Sequence, residues 1–296
     1  MMPGKKSMCI FGFCDIRNFT DATEVLEANV MVFVNEIAEI CHEVVNRVGG
    51  NPNKNIGDAF LLVWKFNEED SITVQNRHEA VLELRSSLRV RQMADLAVYS
   101  FVKMVAEISR APSLQKYRNN SGLKDRISNY QGVKMGFGLH VGWAIEGPIG
   151  SEFKIDASYL GSHVNMASRL EGATKAYGIP ILVSGDLYDL MTLKNKEHLR
   201  QIDKVEVKAG EKPMDLYTVD LSPENLIKTL GINENKDLNS FEKKKARVFH
   251  NQQRDKLMEL IEKKRVTGSI WNDDKEIQAM REPFTKYFFE EWKKGF

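Results

Sequence analysis

The sequence lacks the features that mark several large classes of protein. It has three cysteines, Cys9, Cys14 and Cys41, which form neither a CxxC pair nor a zinc-ligand spacing. An odd and small number of cysteines argues against a disulfide framework and fits a reducing compartment. No apolar run approaches the length of a membrane span, and the apolar stretch near the N-terminus is too short for a signal peptide. These absences predict a cytoplasmic protein without a membrane segment in this chain, which can still be part of a larger assembly.

The chain also lacks an excess of charge of either sign. Lysine and arginine together number 42 and aspartate and glutamate 41, which gives a net charge of +1 over 296 residues. Nucleic-acid binding is therefore not predicted, since it usually requires a basic field. Hydrophobic residues make up 42% of the chain, enough to bury a substantial core.

The order of the apolar patterns predicts an α+β fold. A short buried strand, "SMCIFGFCDI", is followed by a segment with helical spacing, for which Thr20 or Asp21 is the predicted N-cap and Gly49-Gly50 the end. A hairpin with its turn at Gly57-Asp58 follows. "VKMGFGLHVGWAIEG" predicts a strand that runs into a glycine-rich loop, and "EFKIDASYLG" predicts another strand. We expect a ferredoxin-like or polymerase-palm-like mixed sheet with helices packed on it.

Composition divides the chain into three parts. Residues 1–221 carry the mixed pattern, with a polar insert at about 67–91. A polar linker with proline and glycine is predicted at 222–240, and a charged helical tail at 241–296. We expect the tail to be solvated or to pack against a partner.

Two aspartates follow the first strands. Asp15 comes at the end of the first predicted strand, and Asp58 lies in the turn of the hairpin. Either aspartate alone is most simply a turn or capping residue. If the hairpin pairs beside the first strand, both carboxylates meet at one end of the sheet, where they would suit Mg²⁺ and a phosphate group. The amides around Phe19 and Thr20, at the helix start, could then hold the phosphates.

A second candidate group lies in "GSHVNMASRLE". We predict a helix here, with Ser162 as its cap and Gly178 as its end. Asn165 and Arg169 are four residues apart and so share one face of this helix. An amide beside a guanidinium can orient a sugar oxygen and stabilise a charged phosphorus centre. On spacing alone, a surface arginine paired with Glu171 or another nearby acid is the better interpretation.

Four motifs together resemble a known family. "FGFCDIRNFT", "GGNPNKNIGDAFLLVW", "GFGLHVGWAIEGPIG" and "IDASYLGSHVNMASRLEGATKAYGIPILVSG" are similar, in order and approximate spacing, to the catalytic domain of class III nucleotidyl cyclases, the adenylyl and guanylyl cyclases. The resemblance covers roughly residues 8–221. The residues of these motifs are similar to those of protist cyclase domains and of the soluble adenylyl cyclase branch.

The resemblance implies a role for each matched residue. Asp15 and Asp58 match the metal-binding aspartates, with the Ile16 carbonyl as a further ligand, and the family uses two Mg²⁺ or Mn²⁺ ions per site. Asn165 and Arg169 match the residues that orient the ribose and stabilise the transition state. Lys208 matches, more weakly, a lysine that contacts the terminal phosphates.

The resemblance also implies how the base is recognised. Lys54 matches a position that holds lysine in adenylyl cyclases and typically glutamate in guanylyl cyclases, in agreement with the acceptor at adenine N1. Ser158 matches the second purine-contacting position, which holds aspartate or threonine in adenylyl cyclases and usually cysteine in guanylyl cyclases. Serine departs from this pattern, so the assignment of ATP depends mainly on Lys54.

The family further implies a dimer, either of two identical chains or of this chain with a related cyclase domain, because each site takes residues from both copies. The expected function is an adenylyl cyclase that converts ATP to 3′,5′-cyclic AMP and pyrophosphate in intracellular signalling. Two alternatives remain open at this point: a guanylyl or mixed-specificity cyclase, and a non-catalytic cyclase-fold subunit of a larger assembly.

Overall fold

The computed structural model describes residues 3–75, 80–206 and 213–221. The predicted linker at 222–240, the predicted tail at 241–296 and the predicted phosphate ligand Lys208 lie outside the described residues.

The described residues alternate between strands and helices. The strands are β1 (Lys5–Ile16), β2 (Asn51–Ile56), β3 (Ala59–Lys65), β4 (Ser71–Gln75), β5 (Ala80–Leu84), β6 (Met135–Ser151), β7 (Lys154–Leu160), β8 (Ile181–Ser184), β9 (Arg200–Val205) and β10 (Met214–Thr218). The helices are α1 (Phe19–Leu26), α2 (Val30–Arg47), α3 (Leu88–Arg110), α4 (Pro112–Arg118), α5 (Ser121–Arg126), α6 (Ser162–Tyr177), α7 (Gly185–Leu190) and α8 (Leu193–Lys196). This is the α+β class that the sequence predicts.

Eight of the strands form one mixed sheet. Its order is β2-β3-β1-β6-β8-β10-β9, and β7 pairs with the far end of β6. Neighbouring strands are antiparallel except for β6 and β8, which are parallel. The β2–β3 hairpin therefore lies beside β1, as the sequence predicts, and this pairing brings the two predicted metal aspartates to one edge.

The central strand β1 is covered on both faces, which explains its unbroken apolar run. On one face, Cys9 and Phe11 pack in a cluster with Val164 and Ala167 of α6. On the other face, a Cβ on Gly12 would lie 2.5 Å from the Phe101 ring of α3. A strand with helices on both sides needs apolar residues at successive positions rather than at alternate ones.

The helical segment after β1 is interrupted, which the sequence does not predict. Helix α1 begins at Phe19, one or two residues before the predicted caps Thr20 and Asp21. A 3₁₀ turn at Glu27–Asn29 then separates α1 from α2. Glu27 itself has a positive φ of 49°, a conformation that breaks a regular α-helix.

The predicted glycine-rich loop is instead the continuation of a strand. β6 runs for 17 residues through Gly142, Gly147 and Gly150 and pairs with β7 along its second half. Two of its glycines allow close packing against α6. A Cβ at Gly138 would lie 2.4 Å from the Ala167 carbonyl oxygen, and one at Gly142 would lie 2.1 Å from the His163 ring. The glycines therefore reflect helix contact rather than a turn.

The polar insert contains its own small sheet. A 3₁₀ turn at Glu68–Asp70 leads into β4, which pairs antiparallel with β5 in a two-stranded sheet. The last residues of the predicted insert already belong to α3. Helix α3 begins at Leu88, before the apolar pattern that is clear from Ala94 onward, because Arg89, Arg91 and Gln92 make its first turns more polar.

The chain divides into two compact units. The first comprises residues 3–19, Ala38–Val105 and Lys134–Leu221, and it holds the eight-stranded sheet with α6. Of the described residues, the second unit comprises Thr20–Ile37 and Ala106–Val133. Within the second unit, the Phe33 and Tyr117 rings pack edge to face at 4.7 Å. No helix among the described residues is long and apolar enough to cross a membrane.

Candidate active site

Asp15 and Asp58 meet where β1 and β3 end. Asp15 lies opposite Ala59 in the register of the two strands, which puts it beside Asp58 in the preceding turn. The Ile16 amide donates a hydrogen bond of 3.3 Å to the Asp58 carbonyl oxygen, which fixes the turn against the end of β1. Gly57 has a positive φ of 64° and makes this tight turn possible.

The electrostatic environment of Asp15 is strongly acidic. Burial, contact with Asp58 and the negative charge of Asp58 and Glu171 raise the pKa of Asp15 to about 7, and nearby Lys175 partly opposes this effect. The Lys175 ammonium lies 3.9 Å from the Asp15 carboxylate. Two carboxylates held this close repel each other, and a bound cation would relieve the repulsion.

The residues present fit a divalent cation. Asp15 Oδ1 is buried and has no hydrogen-bond partner among the described residues. Carboxylate and carbonyl oxygens are the ligands that Mg²⁺ prefers, and Mg²⁺ typically uses one or two carboxylates together with substrate phosphates. The described residues contain no cluster of three or more acidic, histidine or cysteine ligands, so a cation here would also need the Ile16 carbonyl or substrate oxygens.

Helix α1 begins directly after this corner. The Phe19 and Thr20 amides lie in its first turn. The preceding residue, Asn18, has a positive φ of 56°, so the chain turns sharply between β1 and α1. The first amides of a helix favour anions in general, and the role of these two amides toward phosphate stays a prediction.

Helix α6 presents Asn165 and Arg169 on its exposed face. Both residues are exposed, whereas Val164, Ala167 and Leu170 are buried against the sheet. The helix begins at Ser162 with Gly161 as its N-cap residue, so Ser162 is not the cap that the sequence predicts. Gly178 ends it in a left-handed conformation, as predicted. The pair is thus available to a ligand on a helix that the core holds in place.

Glu171 pairs with Arg17 rather than with Arg169. The Arg17 guanidinium lies 3.3 Å from the Glu171 carboxylate and also donates a hydrogen bond to the Thr174 hydroxyl. Among the described residues Arg169 forms no salt bridge. This result removes the simplest alternative role of Arg169, a surface ion pair with Glu171.

The sequence did not predict this ion pair, which connects α6 to the end of β1 where Asp15 and Asp58 meet. Arg17 follows Ile16 directly, and its partner Glu171 lies two residues after Arg169. Glu171 is only 5% exposed, and a lone charge is costly at such a depth, so each residue of the pair needs the other. The only signal in the sequence was that Arg17 directly follows the predicted ligand Ile16, and an arginine at such a position usually indicates an ordinary surface charge.

A histidine pair fixes the first turn of α6. His140 on β6 is 2% exposed, with Nδ1 2.8 Å from the Ser184 hydroxyl and Nε2 2.9 Å from His163 Nδ1. The two rings stack with their centroids 5.1 Å apart. Burial, with a smaller contribution from His163, lowers the pKa of His140 to about 3. Both rings are therefore neutral at pH 7, and the hydrogen-bonded chain positions the helix that carries Asn165.

Lys54 lies at a second location on the same hairpin. The pairing of β2 with β3 shifts register between Pro52 and Lys54, which marks a β-bulge at Asn53. The Asn53 amide donates a hydrogen bond of 3.4 Å to the Ala157 carbonyl oxygen on β7. The Lys54 ammonium lies 3.5 Å from the Asp156 carboxylate, also on β7. β7 thus brings the predicted base-contacting segment, which includes Ser158, next to Lys54.

Ser158 and Asp156 share one face of β7, since they are two residues apart on a strand. Ser158 is 9% exposed, and Asp156 is more accessible. Both residues lie in the motif that begins "IDASYLG", but only Ser158 was predicted to contact the base.

Comparison with known proteins gives one family. A model described as "Adenylate and Guanylate cyclase catalytic domain" matches residues 2–220. An adenylate cyclase of Anabaena cylindrica is 27% identical over 209 residues, which are 70% of this chain and 36% of that protein. A terminal-differentiation specific adenylate cyclase of Dictyostelium discoideum is 27% identical over 216 residues, 72% of this chain and 9% of that protein. The chain thus spans about a third or less of these relatives.

Solved structures agree on the fold. A bacterial light-regulated adenylyl cyclase superposes with a TM-score of 0.55 at 22% identity, over 74% of this chain and 53% of that one. The adenylyl cyclase CyaB of P. aeruginosa superposes with a TM-score of 0.53 at 21% identity, over 80% of this chain and all of that one (100%). With most of its described residues matched, and with both predicted aspartates at the expected corner of the sheet, the chain belongs to the family of adenylate and guanylate cyclase catalytic domains.

Proposed function

We propose that the chain is an adenylyl cyclase that converts ATP to 3′,5′-cyclic AMP and pyrophosphate. One observation carries this proposal. A single hairpin, β2–β3, presents Asp58 to Asp15 at one location and Lys54 to β7 at another. The first location has the chemistry of a cation and phosphate site, and the second has an ammonium group that would contact a base.

The choice of ATP depends on the base. Adenine N1 is a hydrogen-bond acceptor and is matched by the Lys54 ammonium, which can only donate. Guanine carries a hydrogen on N1, so its N1–H donor would face the Lys54 ammonium, which is also a donor. The adenylyl cyclase names of the Anabaena and Dictyostelium relatives support the same choice.

The corner formed by Asp15 and Asp58 would hold the metal ions that contact the phosphates. Asp15, Asp58 and the Ile16 carbonyl are the groups that would hold Mg²⁺ or Mn²⁺. A bound divalent cation supplies a Lewis acid that neutralises phosphate charge and acidifies the ribose 3′-hydroxyl. The Phe19 and Thr20 amides at the start of α1 would contact phosphate oxygens, as the sequence predicts. The predicted role of Lys208 toward the terminal phosphates remains part of this proposal.

The reaction is an intramolecular phosphoryl transfer. The ribose 3′-oxygen attacks the α-phosphorus in line as its proton leaves, and the bond to pyrophosphate breaks on the opposite side. Asn165 orients the ribose, and Arg169 donates hydrogen bonds to the charge that develops on the α-phosphoryl oxygens. Arg169 is suited to this role because it is exposed and forms no salt bridge among the described residues.

The site would be shared between two copies of the domain. One copy supplies Asp15 and Asp58, and the other supplies Lys54, Asn165 and Arg169. This chain holds both sets, so a symmetric homodimer would have two complete sites, whereas a monomer would have only half sites.

The direct test is product analysis. Purified chain is incubated with equal ATP and GTP and Mn²⁺, with Asp58→Ala as the control, and the products are identified by mass. We expect cyclic AMP in clear excess, and none from the variant or in the presence of a metal chelator. Mainly cyclic GMP would overturn the choice of substrate. No cyclic product from a folded dimer would favour the non-catalytic alternative.

A further inference from the structure

We propose that Asp156 recognises the adenine amino group and so determines the preference for ATP. This inference rests on the proposed function and deepens it. The family resemblance gives the second purine contact to Ser158, which leaves a problem of chemistry. A hydroxyl can donate or accept a hydrogen bond, so serine alone does not distinguish the amino group of adenine from the carbonyl group of guanine.

The structure places a residue that does distinguish them. Asp156 shares a face of β7 with Ser158, two residues away, and its carboxylate lies 3.5 Å from the Lys54 ammonium. The contact between Asn53 and the Ala157 carbonyl holds β2 against this part of β7. A base here would therefore meet one obligate donor, Lys54, one obligate acceptor, Asp156, and the Ser158 hydroxyl. The Lys154 ammonium also lies 3.5 Å from the Asp156 carboxylate, but its side chain is 79% exposed and so lies mostly in solvent.

The burial of these residues favours Asp156 over Ser158. Ser158 is 9% exposed as a residue, whereas the Lys54 and Asp156 side chains are 41% and 38% exposed. A ligand reaches the two charged side chains more readily than the hydroxyl. An ion pair at this exposure contributes little, so a base can separate the two charges at small cost.

The charged pair matches the edge of adenine. Lys54 donates to N1, and the Asp156 carboxylate accepts from the 6-amino group. With guanine both contacts become unfavourable, because Lys54 faces the N1 hydrogen and the carboxylate faces the 6-carbonyl oxygen. The pair therefore attracts ATP and repels GTP, which serine at position 158 does not achieve alone.

The test compares ATP with purine riboside triphosphate, which keeps N1 but lacks the 6-amino group. We expect the wild-type chain to prefer ATP by roughly 10- to 100-fold in kcat/KM, the scale of one charge-assisted hydrogen bond. Asp156→Ala should bring this ratio close to one. Asp215→Asn is the matched control, since Asp215 is a strand residue of similar exposure that lies 3.7 Å from Lys204. It should keep the wild-type ratio.

Two outcomes would overturn the inference. If Asp156 only orients Lys54, Asp156→Ala will weaken both substrates equally and leave the ratio unchanged. If Ser158 is the acceptor, Ser158→Ala will abolish the preference and Asp156→Ala will not.

The same ratio can be measured without turnover, by displacement of a fluorescent ATP analogue with each nucleotide. A chain that forms no cyclic product but loses its preference with Asp156→Ala would contradict the proposed reaction and support this inference. If the wild-type chain cyclises ATP and the Asp156→Ala variant keeps the wild-type preference, the result would support the proposed reaction and contradict this inference. A wild-type chain that binds neither nucleotide would contradict both.

Discussion

At the scale of single residues, helix α6 has a buried face that packs on the sheet and an exposed face that carries the predicted site residues. Its apolar side chains hold it on β1 and β6, and its exposed face carries Asn165 and Arg169. Because Glu171 pairs with Arg17, Arg169 forms no salt bridge with the described residues, and the proposal assigns its donors to the substrate. A residue of this kind should contribute more to turnover than to binding.

Arg169→Ala should therefore lower kcat by roughly 10²- to 10³-fold, the usual effect of removing one donor to a developing negative charge. KM for ATP should change only modestly, because Arg169 acts on charge that appears in the transition state. Steady-state kinetics with ATP and Mn²⁺ checks this. Arg89→Ala, at an exposed arginine paired with Glu69, is the control. A rise in KM at unchanged kcat would contradict the role assigned to Arg169.

A second residue-scale prediction concerns His140 and acid. The pKa of His140 is about 3 in the folded chain, whereas an unfolded histidine titrates near 6.5. The unfolded state therefore takes up this proton first, so the contribution of His140 to the free energy of unfolding falls as the pH drops below about 6.5. Asp15 and Asp95, whose pKa values are raised to about 7 and about 6, contribute in the opposite direction, so the His140 part is read from the difference between variant and wild type.

Denaturant unfolding between pH 8 and 5 measures this slope. His140→Gln should remove the His140 part of this slope, so that the variant loses less unfolding free energy than wild type between pH 8 and 5, whereas His42→Gln, at a less buried ring, should change the slope less. An unchanged slope in His140→Gln would show that other groups cause the acid sensitivity.

Single residues also show what a sequence can predict about a site. Asp15 and Asp58 could be found because they end neighbouring strands, and the hairpin beside β1 brings them together as expected. The contacts of Lys54 with Asp156 and of Arg17 with Glu171 could not be predicted, because each joins segments that are distant in the sequence. The bulge at Asn53, which places Lys54 beside Asp156, has no signature in the local sequence.

At the scale of elements, the close packing of α6 on β6 sets the geometry of the site. A Cβ at Gly138 would lie 2.3 Å from the Glu171 amide nitrogen and 2.4 Å from the Ala167 carbonyl oxygen. Both are backbone atoms of the helix, so neither can rotate away as a side chain would.

Gly138→Ala should therefore push α6 off the sheet and destabilise the fold by about 1–3 kcal/mol, as overpacking usually does. Gly172→Ala on α6 itself is the matched control, because a Cβ there meets nothing within 4 Å. It should stabilise the chain by about 0.5–1 kcal/mol through helix propensity. Urea unfolding of both variants checks the pair, and equal stabilities would contradict the packing described here.

The elements themselves were mostly predictable, and the exceptions have physical causes. β1, the hairpin and α6 follow from apolar periodicity together with turn and end signals. The second half of β6 was predicted as a loop because glycines usually mark turns, whereas here Gly147 and Gly150 lie within the pairing of β6 with β7. The break between α1 and α2 depends on a positive φ at Glu27, which its residue type does not favour.

At the scale of the whole molecule, the central claim is that two copies complete each other's sites. The β2–β3 hairpin holds Asp58 beside Asp15 and Lys54 beside Asp156, the residues that the proposal assigns to the metal and to the base. If each site takes one set from each copy, defects in the two sets lie in different half sites and can complement each other.

The measurement that tests this claim most directly is mixing. Asp58→Ala and Arg169→Ala chains, each shown to fold and dimerise, are assayed alone and after exchange at equal amounts. Each alone should be nearly inactive. Random exchange puts about half of the chains in mixed dimers with one intact site in two, so the mixture should regain about a quarter of wild-type activity. A mixture that forms mixed dimers and stays as inactive as its components would contradict the shared site.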